Sequence, residues 1–572
     1  MHRFESNPGR LWPAWQARRP MVLAARFWGL ALAAASLAAP LHAQPASAAL
    51  PTPTPAPTPA PVAETETETT TLVSAFNVQG NSLLDLAALQ TLLQPWLGQR
   101  TLAELRQAAQ MVQAQYSRAG YGAVVAYLPP QPVANGTVTI AVLEGRLARV
   151  RVQGQQRLSA ERVRAALPAL VEGGTLQLRR IDAELQLANE NPGRTLGVLL
   201  GPGAAPGEVE ATVKVAETAV QRFTGALDNS GNPATGRYRL SLGWMHADLS
   251  GQDDVLNAQL QFSPTELKAV QVISLGYRLP LVRQLAALDL FAAYSNVDGG
   301  IQPSAAGDLR FAGQGRIVGA RGTAYLPRWG EVDQRMTAGL ESRLYLNSCR
   351  VAGLPDGACG PSGNSVVVQP LSVDYLAQAG GALPASLQVG VVHNLALGGQ
   401  HGSAADFEAV RPGASRRYTA LRATGQVSWA LADDWSLGGR IALQYSPDRL
   451  VTGEQFGLGG AASVRAYADR ELAGDNGVAL AVELTTPRLA VDTSDAADLR
   501  LLAFADGGQV QNQGDLACRV GQTRCTLSSL GLGARLGWRT WRARLFVAQA
   551  RQDGSHTRAG DWRSHLAVNV NF

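Results

Sequence analysis

The sequence predicts two small α+β modules followed by an all-β transmembrane barrel of antiparallel strands. Three observations carry that prediction. A β-α-α-β-β order occurs twice between residues 73 and 218. From Gln221 onward, helical periodicity gives way to strict polar–apolar alternation, which runs to the C terminus with no helical pattern to cover a sheet. Beyond the N-terminal region, no unbroken apolar run is long enough to cross a bilayer as a helix. The composition agrees. Of 572 residues, 46% are hydrophobic and only 17% charged, which is low for a soluble chain of this size. The net charge of +5 owes much to arginines near the N terminus and is not read as a nucleic-acid surface. Lys214 and Lys268 are the only lysines. A GC-rich coding sequence and a preference for planar, always-charged donors in a wet interior both account for that, and the sequence leaves the two open.

Taken in chain order, residues 1–43 read as a signal peptide. Arg18, Arg19 and Arg26 precede the apolar run FWGLALAAASLAA, and LHA supplies a small-residue cleavage site after Ala43, with Met21 as an alternative start. The apolar run is too short to span a bilayer comfortably, and no cysteine follows it to carry a lipid. Residues 44–72 include PTPTPAPTPAP, which favours an extended polyproline spacer and forbids a helix. The first module occupies 73–145. AFNVQG is its first strand, Ser82 is expected to open a short helix, and Thr101 with Glu104 forms a capping box for a second helix. GYGAVVAYLP and GTVTIAVLEG complete it as strands. The second module, 146–218, repeats the order, with Ser159 opening its first helix and LRRIDAELQLANENPG as its second.

The barrel is expected over 219–572, with about sixteen strands. In RYRLSLGW, Leu240, Leu242 and Trp244 oppose Arg239, Ser241 and Gly243; in HLAVNVNF, Leu566, Val568, Val570 and Phe572 oppose His565, Asn569 and Asn571. A soluble sandwich would alternate as well. The barrel is favoured because aromatics sit on the apolar face near strand ends, as an interfacial girdle requires. In hydrocarbon every backbone N–H needs a partner, so such a sheet must close. The cysteines form two close pairs, Cys349 with Cys359 and Cys518 with Cys525. Their spacing does not suit zinc, and in an exported chain two loop-stapling disulfides are the expectation, with free thiols as the alternative.

These features together resemble the outer-membrane transporters of two-partner secretion, the TpsB proteins of ShlB/FhaC/HecB type, over nearly the whole chain from residue 72. The modules resemble POTRA domains through YSRAGY…LPPQ…NGTVTIAVLEG at 116–145 and LANENPGRTLGVLLGPGAAPGEVEATV at 187–213. Val464-Arg465-Ala466-Tyr467 is similar to the family's VRG(Y/F) motif, on the long loop after the eleventh strand that folds back into the pore. Phe504, Asp506 and Gly508 match its F-x-D-x-G motif, and alternation sets them on one face of their strand, opposite Leu501, Ala503 and Ala505. The resemblance implies that the motif faces the lumen and that Arg465 pairs with Asp506. The alternative is an Arg465 merely solvated in the channel. Ala466 stands where the family has glycine, which would be strained if the loop needs a positive φ there. The terminal Phe572 resembles the assembly signal of outer-membrane barrels. Residues 44–71 show no amphipathic pattern for the pore-plugging helix some relatives carry.

The resemblance implies a Gram-negative outer-membrane location, with the POTRA modules in the periplasm. It implies export of a large partner exoprotein, such as a haemolysin or filamentous adhesin, captured by the modules and sometimes activated in passage. An insertase that assembles other outer-membrane barrels is the alternative. The lipid and lipopolysaccharide of the outer membrane are the other expected contacts. No nucleotide, cofactor, metal or nucleic acid is expected: no phosphate-binding G-x-x-x-x-G-K-[ST] occurs. No enzyme is expected either, because His246, His393, His401, His556 and His565 are scattered without triad or metal spacing.

Overall fold

A computed structural model gives the fold. It describes residues 70–572 except 134, 232–235, 268–269, 297–299, 303–308, 312–313, 347–363 and 490–496. The expected signal peptide, nearly all of the proline-rich spacer, and Cys349 with Cys359 lie outside the described residues.

The first module opens at the short strand Thr71–Val73, which pairs with Gly98–Arg100, so a boundary drawn at residue 73 cuts through this ribbon. Its three-stranded sheet runs Ala75–Gln79, Thr137–Glu144, Val124–Tyr127 in space, with the first pair parallel. Two helices cover it, α1 (Leu86–Leu93) and α2 (Leu102–Arg118). Asp85, not Ser82, caps α1. Ser82 is drawn away by Glu144, whose carboxylate accepts from the amides of Ser82 (2.7 Å) and Leu83 (3.0 Å), from the Ser82 hydroxyl, and from the buried Tyr116 hydroxyl (2.9 Å). The α2 capping box of Thr101 and Glu104 is complete, and Leu105, Ala109, Val112 and Tyr116 form its buried stripe.

Burial opposes charge on Glu144, but the hydrogen bonds from Ser82, Tyr116 and Leu83 outweigh it and hold its pKa below the ordinary carboxylate value. A depressed carboxylate stabilises the fold above its unfolded pKa and loses that contribution as pH falls through the folded value. Glu144→Gln is therefore expected to cost the module about 1–2 kcal/mol at neutral pH, discounted for its partial exposure, and progressively less as pH falls from about 4.3 through the depressed folded-state value. Hydrogen exchange across residues 75–145 of the full chain measures both.

The second module repeats the plan. Strands Arg146–Gln153, Glu208–Glu217 and Arg194–Pro202 form its sheet. α3 (Ala160–Ala165), capped by Ser159, and α4 (Leu178–Asn189) cover it.

Sixteen long antiparallel strands follow and close on themselves. They are β1 (Gln221–Asp228), β2 (Arg239–His246), β3 (Val255–Phe262), β4 (Gln271–Leu281), β5 (Ala286–Ser295), β6 (Gln314–Trp329), β7 (Val332–Leu346) and β8 (Pro370–Ala379). The second half comprises β9 (Ala385–Asn394), β10 (Thr419–Ala430), β11 (Ser436–Tyr445), β12 (Asn476–Thr485), β13 (Asp498–Gln511), β14 (Arg524–Trp538), β15 (Trp541–Ala550) and β16 (Trp562–Asn571). Each pairs with the next, and β16 returns to β1 from Ala567↔Asp228 to Asn571↔Thr224. Phe572 extends this seam, its N–H donating to the Phe223 carbonyl (2.9 Å).

Alternation decides what each strand shows to each side. Ile273, Leu290, Val318, Val482 and Leu532 point outward and are exposed, as a lipid-facing band must be. Trp329, Trp435, Trp538 and Trp541 ring the end nearest the modules, and Tyr238, Tyr294, Tyr445 and Trp562 the other, each a place where an amphipathic ring meets both phases. One feature escapes the alternating pattern: α5 (Ala404–Val410), a short helix with a Ser403/Asp406 capping box, sits in the β9–β10 loop.

The second module docks on the near rim through charge. Arg162 grips Asp248 with both Nη atoms (2.8 and 2.9 Å), and Arg194 grips Asp253 likewise (2.9 Å each), both acids lying in the β2–β3 turn. Glu190, just past α4, accepts from Arg278 on β4 (2.9 Å) and from Arg335 on β7.

Candidate functional site

The long β11–β12 loop, 446–475, does not stand away from the barrel. Val464, Ala466 and Tyr467 at its tip are fully buried, and Arg465 is 1% exposed. The tip sits in one hydrophobic cluster with Leu458, Leu502, Phe504, Leu527 and Phe546, which are wall and loop residues alike.

Arg465 meets the wall through nearly every polar atom it has. Its Nε and Nη2 donate to the two oxygens of Asp506 on β13 (2.8 and 2.6 Å), its own amide donates to Asp506 Oδ2 (3.0 Å), and Nη1 donates to Glu483 on β12 (2.7 Å). Asp506 also accepts from Ser529 Oγ on β14 (3.1 Å), and Glu483 from Arg535. The guanidinium lies 3.4 Å from the Phe504 ring centroid and 5.3 Å from that of Phe546, so its faces are covered by aromatic rings while its edge is ligated. His565 on β16 donates Nε2–H to the Arg465 carbonyl (2.6 Å). Arg465 and Arg535 bond the two anions, Asp506 and Glu483, and Arg440 on β11 faces the same cluster as a third guanidinium. The direct hydrogen bonds to both carboxylates are what let charge be buried here at tolerable cost.

The neighbouring motif residues explain the close approach. A Cβ on Gly508 would lie 2.4 Å from Leu458 Cδ1 and 2.7 Å from the Val478 carbonyl, so glycine is the residue that lets the loop lie against β13. Phe504 needs the same concession from Gly531, where a Cβ would lie 2.3 Å from its ring. Ala466 does not have a positive φ, so no strain attends alanine at this position. Tyr467 Oη donates to the Gln552 carbonyl (2.8 Å), and Glu471 accepts from Thr557 Oγ1 (2.7 Å), tying the tip to the β15–β16 loop. A disulfide joins Cys518 in the adjacent β13–β14 loop to Cys525 at the start of β14.

The sequence named Arg465, Asp506 and Phe504, but not Glu483, Ser529, Phe546 or Glu454. Glu483 carried a signal: it is the lone acid in the apolar stretch VALAVELT, and it falls in the inward phase with Ala479 and Ala481. Elsewhere the lumen is lined by acid–base pairs held within the wall, among them Arg278–Asp289 and Arg321–Glu341 (2.7 Å each). Among the described residues, no cluster of three His, Cys, Asp or Glu is placed to hold a metal.

A family model described as haemolysin secretion/activation protein ShlB/FhaC/HecB matches residues 207–536, and one for the POTRA domain, ShlB-type, matches 71–145. The heme/hemopexin transporter protein HuxB of Haemophilus influenzae is 31% identical over 166 residues, 28% of this chain and 29% of HuxB, so the match spans less than a third of that relative. The outer membrane transporter CdiB of Escherichia coli is 26% identical over 455 residues, 77% of this chain and 73% of CdiB. The solved structure of CdiB from Escherichia coli shares the fold, with a TM-score of 0.70 at 22% identity over 90% of this chain and 93% of that one. CdiB from Acinetobacter baumannii does so with 0.66 at 17% identity over 88% and 90%. A closed barrel fronted by α+β modules and matched over more than half its length by one family model places the chain: it belongs to the ShlB/FhaC/HecB haemolysin secretion/activation family, the two-partner secretion transporters, with its barrel in the outer membrane and its POTRA region in the periplasm.

Proposed function

We propose that this chain exports one large partner exoprotein across the outer membrane in unfolded form, and that loop 446–475 is the movable plug of its pore. The observation that carries this is the Arg465 clasp: a loop folded into a closed barrel and held there by a few charged hydrogen bonds is both ordered and releasable. Residues 1–43 serve as the signal peptide and 44–72 as a tether. Residues 146–218 act as a second POTRA module, Cys349 and Cys359 form a second loop staple, and Phe572 marks the chain for barrel assembly. The outward face meets lipid and lipopolysaccharide. The chain is not an enzyme; with no nucleotide in the periplasm, folding of the partner outside supplies the drive. Two modules and family membership favour an exporter over an insertase.

The modules capture the partner by strand addition. Val124–Tyr127 lies at the edge of the first sheet, with Val125 and Tyr127 exposed beside Leu143, an apolar edge suited to an extended chain. Val125→Asp is expected to cut the amount of partner in the medium about tenfold, the effect of losing one to two kcal/mol of binding, while the barrel reaches the outer membrane in normal amount. Unchanged export would count against capture at this edge.

A further inference from the structure

The loop carries a second charged anchor, on a separate sector of the wall. Glu454 is 1% exposed. Its carboxylate accepts from Arg343 on β7 (2.9 Å), from Arg422 on β10 (2.9 Å) and from the Tyr345 hydroxyl (2.7 Å), and its carbonyl accepts from Gln444 (3.0 Å). The seat is shaped for it: a Cβ on the preceding Gly453 would lie 2.5 Å from the Tyr345 ring. The polarity is the reverse of the Arg465 clasp, since here the loop supplies the acid and the wall the bases.

The two anchors differ in what they leave behind. When Glu454 departs, Arg343 keeps a share of Glu341 (2.8 Å), which Arg321 also holds, and Arg422 keeps Gln444 (2.9 Å); both guanidiniums already reach water, their side chains 17% and 29% exposed. The freed carboxylate goes into water. When Arg465 departs, Asp506, its side chain 0% exposed, retains only Ser529 among these partners, and a carboxylate closed off from water loses its directly bonded cation while Arg440 acts on it only at a distance. Opening the first therefore costs less than opening the second. We propose that Glu454 is the first-releasing latch of the pore loop, and that Arg465 is the pivot, remaining closed while the limb around residues 450–456 swings out. This rests on the reading of 446–475 as a plug.

Two buried valines report on the two ends, Val451 beside Glu454 and Val464 beside Arg465, both fully buried. Val451→Cys and Val464→Cys are placed separately in the full-length protein, reconstituted in liposomes, and their labelling by a membrane-impermeant maleimide is timed against the parent. Glu454→Gln is expected to speed labelling at 451 about tenfold or more, the effect of losing charged hydrogen bonds, and to leave 464 unchanged; Arg465→Ala is expected to speed 464. Equal acceleration of both sites by Glu454→Gln, or of neither, overturns the latch. Slow labelling of 464 in Arg465→Ala overturns the plug reading itself, and the latch with it. Arg422→Gln, which removes a wall partner and leaves Glu454 in place, repeats the test should Glu454→Gln fail to give a heat-modifiable barrel.

Discussion

Asp506→Ala is expected to abolish export of the partner while the barrel still inserts. The substitution removes both acceptors of the Arg465 fork and leaves a guanidinium 1% exposed with only Glu483 to balance it. Stranding a buried charge costs about 3–5 kcal/mol. The surviving pair with Glu483 argues for the lower figure, which still shifts the loop between held and free about a hundredfold. The β13 ladder is backbone to backbone and does not involve the side chain, so closure of the barrel survives. Arg465→Lys should fail almost as badly, because three separate nitrogens of Arg465 are in use and an ammonium offers one. Exchanging the two residues, Arg465→Asp with Asp506→Arg, should restore part of the export, since the guanidinium moved onto β13 still lies near Glu483. Partner protein in the medium, normalised to heat-modifiable barrel in the outer-membrane fraction, measures all of these variants. Normal export by both Asp506→Ala and Arg465→Ala would end the gating role.

Deleting residues 75–216 is expected to reduce export to background and to leave a folded, inserted barrel. The barrel's own ladder, from β1 to β16 and back, uses no residue of the modules. What the deletion uncovers is Asp248, Asp253, Arg278, Arg335 and a small apolar contact of Ala287 and Tyr325 with Leu187. The charged groups lie at the rim, where water can replace their lost partners. If the deletion instead depresses outer-membrane proteins in bulk, the chain is an insertase.

The barrel was legible because one period, two, combined with an inverted solvent, leaves each strand no choice of face. Capping boxes and β-α-α-β-β order marked the modules for similar local reasons. What the pattern could not supply was any fact set by long-range register. The α1 start moved from Ser82 to Asp85 because a carboxylate 62 residues on claims Ser82. Glu483, Ser529 and His565 meet Arg465 or Asp506 only after β12, β13, β14 and β16 are brought side by side by closure. The loop's inward fold came from the likeness of VRAY and FADGG to family motifs, since nothing in its glycine-rich composition says which way it points. Helix α5 is too short for periodicity to reveal.

The bore carries more bases than acids: Arg440 faces the Arg465 clasp, Arg535 stands opposite Arg544 across β14 and β15, and Arg563 lies near His565. A polypeptide sliding through would meet a basic lining, which holds its acidic stretches longer than its basic ones. Discrimination would then not belong to the entrance alone, because the passage itself would sort segments by the sign of their charge.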